Sequence, residues 1–300
     1  MKNLKLGASL ALLAGACWGA MGVAAQFLFE SYGFTAEGLV SLRLTAAGAA
    51  ILLALSVFGR RGMIRELFAG HNLRDLLLYG AESALMQYTF FLAIARSNAG
   101  TAAVLSGAVP LFLLLWQMGL ERRAPRFLEV FSLLLASAGI VLLVTKGDLT
   151  ALDFSAAGVG FGLASAFFGA FCTAQPKAVL ARMGAVPVTG WGLLFGGLMM
   201  TVLSPAEAFT GVWTPTSSAC VLVVVLVGTV AAFVFYLASL RHITSPAASL
   251  LACTEPVTAV ILTIAVLGSS IGGAEIAGAA CIIGCVLLIT RCEGENRSAA

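Results

Sequence analysis

Charged residues are scarce in this chain of 300 residues. Only 10% of them are Asp, Glu, Lys or Arg, whereas 60% are hydrophobic. A soluble domain of this length carries about 25% charged residues, because its folded surface faces water. The shortage excludes an ordinary soluble protein and indicates a surface that faces lipid. The net charge of +3 gives no reason to expect a nucleic-acid partner.

Paired metal ligands and phosphate-binding loops are also missing. The seven cysteines are joined by only two histidines, and all cysteines except Cys292 lie inside apolar runs. Cys281 and Cys285 are four residues apart, but no further Cys or His accompanies them. Disulfide frameworks and zinc sites need paired spacings, and ATP-driven pumps need a Gly-Lys-Ser/Thr loop. We therefore expect no metal, no cofactor and no enzyme, and interpret the cysteines as packing residues.

Long apolar runs fill the chain instead. A membrane-spanning helix needs about 20 mostly apolar residues. Ten runs meet this requirement: 6–29, 36–58, 75–95, 99–119, 127–145, 155–176, 187–208, 218–240, 245–267 and 273–290. The sequence predicts an all-α polytopic membrane protein with ten transmembrane helices, followed by a disordered tail over 293–300.

The basic residues indicate the orientation of these helices. With a cytoplasmic N-terminus and ten spans, 14 of the 17 Lys and Arg residues fall on the cytoplasmic side. Arg96 and Lys146 fall outside, and Arg43 falls within a span. Cytoplasmic loops of membrane proteins are enriched in Lys and Arg. This asymmetry predicts a multi-pass protein of the inner or plasma membrane, with both termini in the cytoplasm.

The two halves of the chain resemble each other. Shifts of 145–150 residues align the first, third and fourth runs with the sixth, eighth and ninth. The informative matched pairs are Gly19 with Gly169, Phe90 with Phe235, Arg96 with Arg241, and Pro110 with Pro256. Five spans per half is an odd number, so the second half enters the membrane from the opposite side. The sequence predicts inverted repeats over 1–146 and 147–292, with a substrate site between them near the midplane.

These halves carry motifs that resemble the EamA family of the drug/metabolite transporter superfamily. The motifs are Gly15-Ala-Cys-Trp-Gly19, Ser-Leu-Arg-Leu around Arg43, the stretch 90–110, and the stretch 235–256 ending in Thr254-Glu255-Pro256-Val257. The resemblance covers residues 7–290. It implies two five-helix repeats, a central cavity and the carriage of small metabolites, often the export of amino acids. It does not identify the substrate.

Three ionisable residues inside the predicted spans are candidates for function. Such groups cost about 2.5–3.5 kcal/mol each on insertion scales and are rarely kept without a role. Arg43 lies about 9 Å into its span and is either an anchor for a substrate carboxylate or part of a structural ion pair. Glu82 lies about 10 Å into its span and lines a cavity, pairs with an arginine or carries a proton. Glu255 lies near mid-span and binds substrate or proton, or holds a kink.

Other residues complete the predicted site. Aromatic side chains offer apolar walls with a polar group, and proline interrupts helical hydrogen bonding. The further candidates for substrate binding or coupling are Gln87, Tyr88, Trp18, Gln175 and Tyr236, and the predicted helix kinks are at Pro110, Pro176 and Pro256.

The favoured function is a secondary transporter that exports small organic metabolites by alternating access, with amino acids or related zwitterions as substrates. Its expected partners are the lipid bilayer, a small molecule and protons, and the chain is a monomer or a homodimer. Efflux of amphiphilic drugs and flipping of a lipid-linked metabolite are alternatives within transport. A subunit without flux of its own is a third class, and its central cavity would be closed and apolar.

Overall fold

A computed structural model describes residues 3–58, 62–96, 105, 107–120, 124, 126–151, 155–205, 210–255, 257–258, 261–262 and 272–298. Within these ranges the regular structure is helical throughout. In chain order the helices are α1 (Leu4–Tyr32), α2 (Ala36–Val57), α3 (Met63–Leu67), α4 (Asn72–Arg96), α5 (Val109–Leu120), α6 (Phe127–Thr145), α7 (Ala156–Ala174), α8 (Lys177–Met183), α9 (Ala185–Leu203), α10 (Pro215–Leu222), α11 (Ala232–Ser239), α12 (Ser245–Ala252) and α13 (Gly273–Ser298). A 3₁₀ turn at Leu149–Ala151 joins the two halves, and a π-helical segment, Val223–Ala231, joins α10 to α11.

Several of these helices are long and apolar enough to cross a bilayer. They are Leu4–Tyr32, Ala36–Val57, Ala156–Met183, Ala185–Leu203 and Pro215–Ser239, and shorter apolar helices lie at Phe127–Leu142 and Ile276–Leu288. The prediction of an all-α membrane protein is therefore confirmed, while the count of ten spans stays a prediction. So do the repeat boundaries and the disordered tail, although α13 continues to Ser298.

Helix α1 is longer at both ends than the apolar run 6–29 that predicted it, and capping residues define where it begins and ends. The Asn3 side chain accepts a hydrogen bond from the Leu6 N–H, and Gly33 ends the helix with a φ of 63°. Left-handed backbone at this position strongly favours glycine. Gly184, 151 residues later, separates α8 from α9 and also has a positive φ, 87°, although its ψ of 167° differs from the 27° of Gly33. The two repeats thus share a glycine turn after their first transmembrane helix.

The packing of α2 against α9 gives the relative direction of the repeats. Gly48 lies against the backbone of Leu194, and Gly197 lies against the backbone of Thr45. Residue numbers therefore rise along one helix while they fall along the other, so α2 and α9 are antiparallel. Because α9 follows the second repeat's glycine turn as α2 follows the first, the second repeat is inverted.

The contacts between repeats have a pseudo-twofold pattern. Helix α2 packs on its counterpart α9, and α6 packs on its counterpart α13. Helix α1 packs on α10–α11, and the inverted equivalent, α7, packs on α4. Exchanging the two repeats leaves this set of neighbours unchanged. The interior is therefore built jointly by both halves, as expected where an inverted repeat carries a site between its halves.

A methyl group added at Gly48 should destabilise the fold, because its Cβ would meet backbone atoms of Leu194 that cannot move independently. We expect Gly48→Ala to lower the midpoint of thermal unfolding in detergent by about 3–8 °C. Gly22→Ala is the matched control, since a Cβ there meets nothing within 4 Å, and its midpoint should stay within about 1 °C of the parent. Equal midpoints for the two variants would show that the close approach of α2 and α9 is unimportant.

Candidate functional site

Arg43 and Glu255 bring opposite charges together from the two repeats. Arg43 projects from α2 and is buried, with 3% of its surface exposed. Its Nη1 contacts the Met21 sulfur, and its Nε has no hydrogen-bond partner among the described residues. Glu255 lies within electrostatic range of the guanidinium, and its own side chain is exposed. A buried cation beside an accessible carboxylate forms a site that a charged ligand could enter.

Close packing between α1 and the chain after α12 holds Glu255 in place. The Thr254 hydroxyl donates to the Leu12 carbonyl oxygen at 3.3 Å. Gly15 permits this approach, because a Cβ there would stand 2.6 Å from the Ala252 carbonyl oxygen. The motif residues Gly15 and Thr254 are therefore in contact. They fix the backbone directly before Glu255.

Glu82 occupies a second centre, which we call the Glu82 cluster: Tyr79, Glu82, Ser83 and Cys172. Tyr79 and Cys172 lie within electrostatic range of the Glu82 carboxylate. The Cys172 sulfur and the Ser83 hydroxyl are 3.7 Å apart, joining α7 to α4. Glu82 Oε2 is buried and has no hydrogen-bond partner in the described part of the chain. An ionised carboxylate is costly in such a place, and protonation removes that cost.

An aromatic wall lies between these two centres. It consists of Trp18, Phe233 and Tyr236, with the Trp18 ring 5.6 Å from Phe233 and 5.3 Å from Tyr236. Trp18 is one helical turn before Met21, which contacts Arg43. The Tyr236 hydroxyl is 3.0 Å from the Thr173 hydroxyl, and Thr173 follows Cys172 of the Glu82 cluster. The predicted residues Arg43, Trp18, Tyr236 and Glu82 thus follow one another along the interior.

Charged contacts close one end of the bundle, which we call the Asn3 end. Arg182 Nε donates to Asn72 Oδ1 at 2.7 Å, and its Nη2 contacts Asp75 Oδ2 at 2.5 Å. Arg74 bonds the other carboxylate oxygen of Asp75 at 3.0 Å. Gln175 Nε2 donates to the Asp75 carbonyl oxygen at 3.0 Å. These bonds join the start of α4 to α8, across the two repeats.

Neutral contacts close the opposite end, the Gly33 end. The hydroxyl groups of Thr35 and Thr210 are 2.8 Å apart, which joins the α1–α2 turn to the loop before α10. The rings of Phe34 and Trp213 meet edge to face at 5.2 Å. The two ends therefore use equivalent loops of the two repeats, but different chemistry.

The structure separates the remaining predicted site residues. Gln87 is buried and its Nε2 lacks a partner among described residues, whereas Tyr88 packs in the cluster around Leu44. Gln175 lies in the Asn3-end contact, away from Arg43. Pro110 is in the first turn of α5, and Pro176 lies between α7 and α8. Pro256 is outside the described residues.

Sequence reasoning missed the residues that join the ends. Asn72, Asp75 and Arg182 are not among the predicted site residues, because they lie at or beyond the ends of the apolar runs. Asp75 was detectable as an acid at the start of an apolar run, on the side where basic residues dominate. Its partner Arg182 is 107 positions away, and no local pattern connects the two.

This arrangement, with inverted helical repeats around interior charges and a closing contact at each end, defines a membrane transporter. Comparison with known proteins gives the family. The model of the EamA-like transporter family matches residues 5–145 and again residues 156–291. The chain therefore belongs to the EamA-like transporter family, as its motifs indicated.

Two relatives support this assignment, and one solved structure shows the same fold. The "Uncharacterized inner membrane transporter YicL" of Salmonella typhimurium is 34% identical over 97% of each chain. The "Uncharacterized transporter YwfM" of Bacillus subtilis is 23% identical over 96% of this chain and 95% of its own. A crystal structure at 17% identity superposes with a TM-score of 0.80 over 96% of this chain and 98% of that one, which shows the shared fold. The chain is thus a multi-pass transporter of the inner membrane.

Proposed function

We propose that this transporter exports small zwitterionic metabolites, with amino acids as the preferred class. The observation that carries the proposal is the pair formed by Arg43 and Glu255, in which a cation and an anion of different repeats lie within electrostatic range of each other. A zwitterion offers a carboxylate to the first and an ammonium group to the second. The aromatic wall supplies an apolar surface for the body of the substrate.

Alternating access fits the two closing contacts. Each contact joins the two repeats, so rocking one repeat against the other can break one contact while the other is kept. The Asn3 end is cytoplasmic in this proposal, because most basic residues of the sequence fall on its side. Arg182 with Asp75 then forms the inner closure, and Thr35 with Thr210 forms the outer one.

Glu82 is the proposed site of proton coupling. Its unpartnered, buried carboxylate oxygen lies apart from Arg43, so its proton can exchange without removal of the guanidinium's counter-charge. The proposed substrate site at Arg43 and Glu255 and the proposed proton site at Glu82 lie at different depths, with the aromatic wall between them. Transport can therefore depend on the protonation of a group that does not itself bind substrate.

Flux through proteoliposomes tests the proposal. We expect the reconstituted protein to exchange labelled neutral amino acids, and an imposed pH gradient to drive their accumulation. Glu82→Gln should keep exchange within about threefold of the parent but lose gradient-driven accumulation at least tenfold, since a neutral amide cannot carry the proton.

Ser137→Ala is a suitable control, because that hydroxyl donates to the Leu133 carbonyl oxygen within its own helix, and both assays should be unchanged. No exchange of any amino acid by the folded parent protein would refute the zwitterion proposal. Flux restricted to amphiphilic cations or to lipid-linked compounds would support drug efflux or a flippase instead.

A further inference from the structure

A cavity opens at the Asn3 end between α8 and the end of α11. It has a volume of about 320 Å³ and is lined by Lys177, Leu180, Ala181, Leu240 and Arg241. This volume is at the lower end of the range for sites that hold small molecules. Two of the five lining residues are cations and the other three are apolar. We call this cavity the basic vestibule.

The cations of the basic vestibule have no competing acid in the described part of the chain. Lys177 and Arg241 are exposed, and neither forms an ion pair with any described residue. Asp75, an acid at this end of the bundle, is already bound by Arg74 and Arg182. Two unneutralised charges that face one concave, partly apolar space attract anions more strongly than the same charges on a flat surface.

The inverted repeat provides an internal comparison for these charges. The shift of 145 residues that aligns α4 with α11 pairs Arg241 with Arg96. The shift of 150 residues that aligns α1 with α7–α8 pairs Lys177 with Phe27 and Leu180 with Glu30. The equivalent position at the Gly33 end therefore has one cation fewer and one acid more. Helix packing does not require the cationic character of the vestibule, because its counterpart lacks it; the cytoplasmic position of this end favours Lys and Arg in general, and the cavity brings two of them to one concave space.

We propose that the basic vestibule is a capture site for the anionic group of the substrate, a carboxylate or a phosphate, before it reaches Arg43. This inference rests on the proposed transport function and deepens it by requiring a negatively charged group on the substrate. Leu180 and Leu240 contact its short apolar part, while Lys177 and Arg241 bind the anion. The asymmetry between the two ends favours loading at the Asn3 end and release at the Gly33 end.

The test measures local electrostatics, so it does not depend on transport. Ala181 is exposed and lines the vestibule, so Ala181→Cys places a thiol there with little change in volume. Its rates of reaction with an anionic (sulfonatoethyl) and a cationic (trimethylammonioethyl) methanethiosulfonate are followed by mass spectrometry of the peptide that contains position 181. We expect Lys177→Gln/Arg241→Gln to lower the anionic-to-cationic rate ratio about tenfold.

Lys5→Gln/Arg65→Gln is the matched control, because it removes the same net charge at the same end from residues that do not line the vestibule. It should change the ratio less than about twofold, since exposed charges that do not line the vestibule are screened by salt. In detergent without lipid, inorganic phosphate and hexanoate should each lower the rate at which the anionic reagent modifies the Ala181→Cys variant. An equal effect of the two double variants would overturn the proposal. Protection seen only in nanodiscs of anionic phospholipid, and not with the soluble anions, would also overturn it by assigning the site to a lipid headgroup.

Discussion

Replacing Arg43 with glutamine is expected to lower amino-acid exchange in proteoliposomes about 100-fold, which corresponds to about 2.7 kcal/mol of lost stabilisation. Arg43 is buried, and the charge in its electrostatic range is that of Glu255. The variant removes the anchor for the substrate carboxylate and leaves Glu255 without its counter-charge. Because Glu255 is exposed, the charge left behind by this variant stays solvated and costs less than an unpaired buried charge, and the thermal midpoint is measured alongside flux.

The neutral double variant Arg43→Gln/Glu255→Gln separates binding from folding. Glu255→Gln alone leaves the buried Arg43 without its counter-charge, whereas the double variant leaves no charge behind, so the thermal midpoint of the double variant should lie above that of Glu255→Gln. Its exchange rate should nevertheless stay low, because neither end of a zwitterion then meets a charge. If the double variant recovers both stability and exchange, the pair is structural and the zwitterion site lies elsewhere. Arg96→Gln, at an exposed arginine, should leave both measurements unchanged.

The positions of most helices could be predicted from the sequence, because each span must contain about 20 mostly apolar residues to cross the bilayer. The second apolar run predicts a helix over 36–58, and α2 occupies Ala36–Val57. The larger differences occur where local chemistry overrides hydropathy. The run at 155–176 predicts an end near Pro176, but the proline begins α8, and helical structure continues to Met183. The π-helical segment Val223–Ala231 has no hydropathy signature, since it keeps the same apolar composition as the α-helix around it.

The candidate site is less predictable. The local sequence shows which charged residues are buried in the membrane, but it does not show which of them contact each other. Arg43, Glu82 and Glu255 stand out in the sequence, since charges inside apolar runs are costly. Whether Arg43 faces Glu82 or Glu255 depends on how α2 packs against the second repeat, and the structure places it in range of Glu255. Gln175 illustrates the same limit: it was a candidate for the substrate site, but the packing of α7 on α4 brings its side chain to the Asp75 carbonyl oxygen.

Opening of the Asn3 end should depend on Arg182 more than on any other cation of that contact. Arg182 bonds both Asn72 and Asp75 and thereby joins the two repeats, and 44% of its side chain is exposed. Arg74 bonds Asp75 from the adjacent position of the same helix and is 68% exposed. Bonds to charged groups contribute about 1.5–3 kcal/mol, whereas exposed ion pairs contribute about 0–1 kcal/mol.

We therefore expect Arg182→Gln to accelerate maleimide labelling of Cys172, which is 7% exposed behind this contact, about tenfold. Arg74→Gln, the matched loss of one cation from the same carboxylate, should accelerate it less than about twofold. Cys285 is fully buried in the cluster formed by α6, α12 and α13, away from the contact, and reports on global unfolding. A parallel rise at Cys285 would mean that the whole fold had loosened. If the two arginine variants accelerate the labelling of Cys172 equally, Asp75 requires only a neighbouring positive charge. The bond from Arg182 to Asp75 across the two repeats would then not be what keeps the Asn3 end closed.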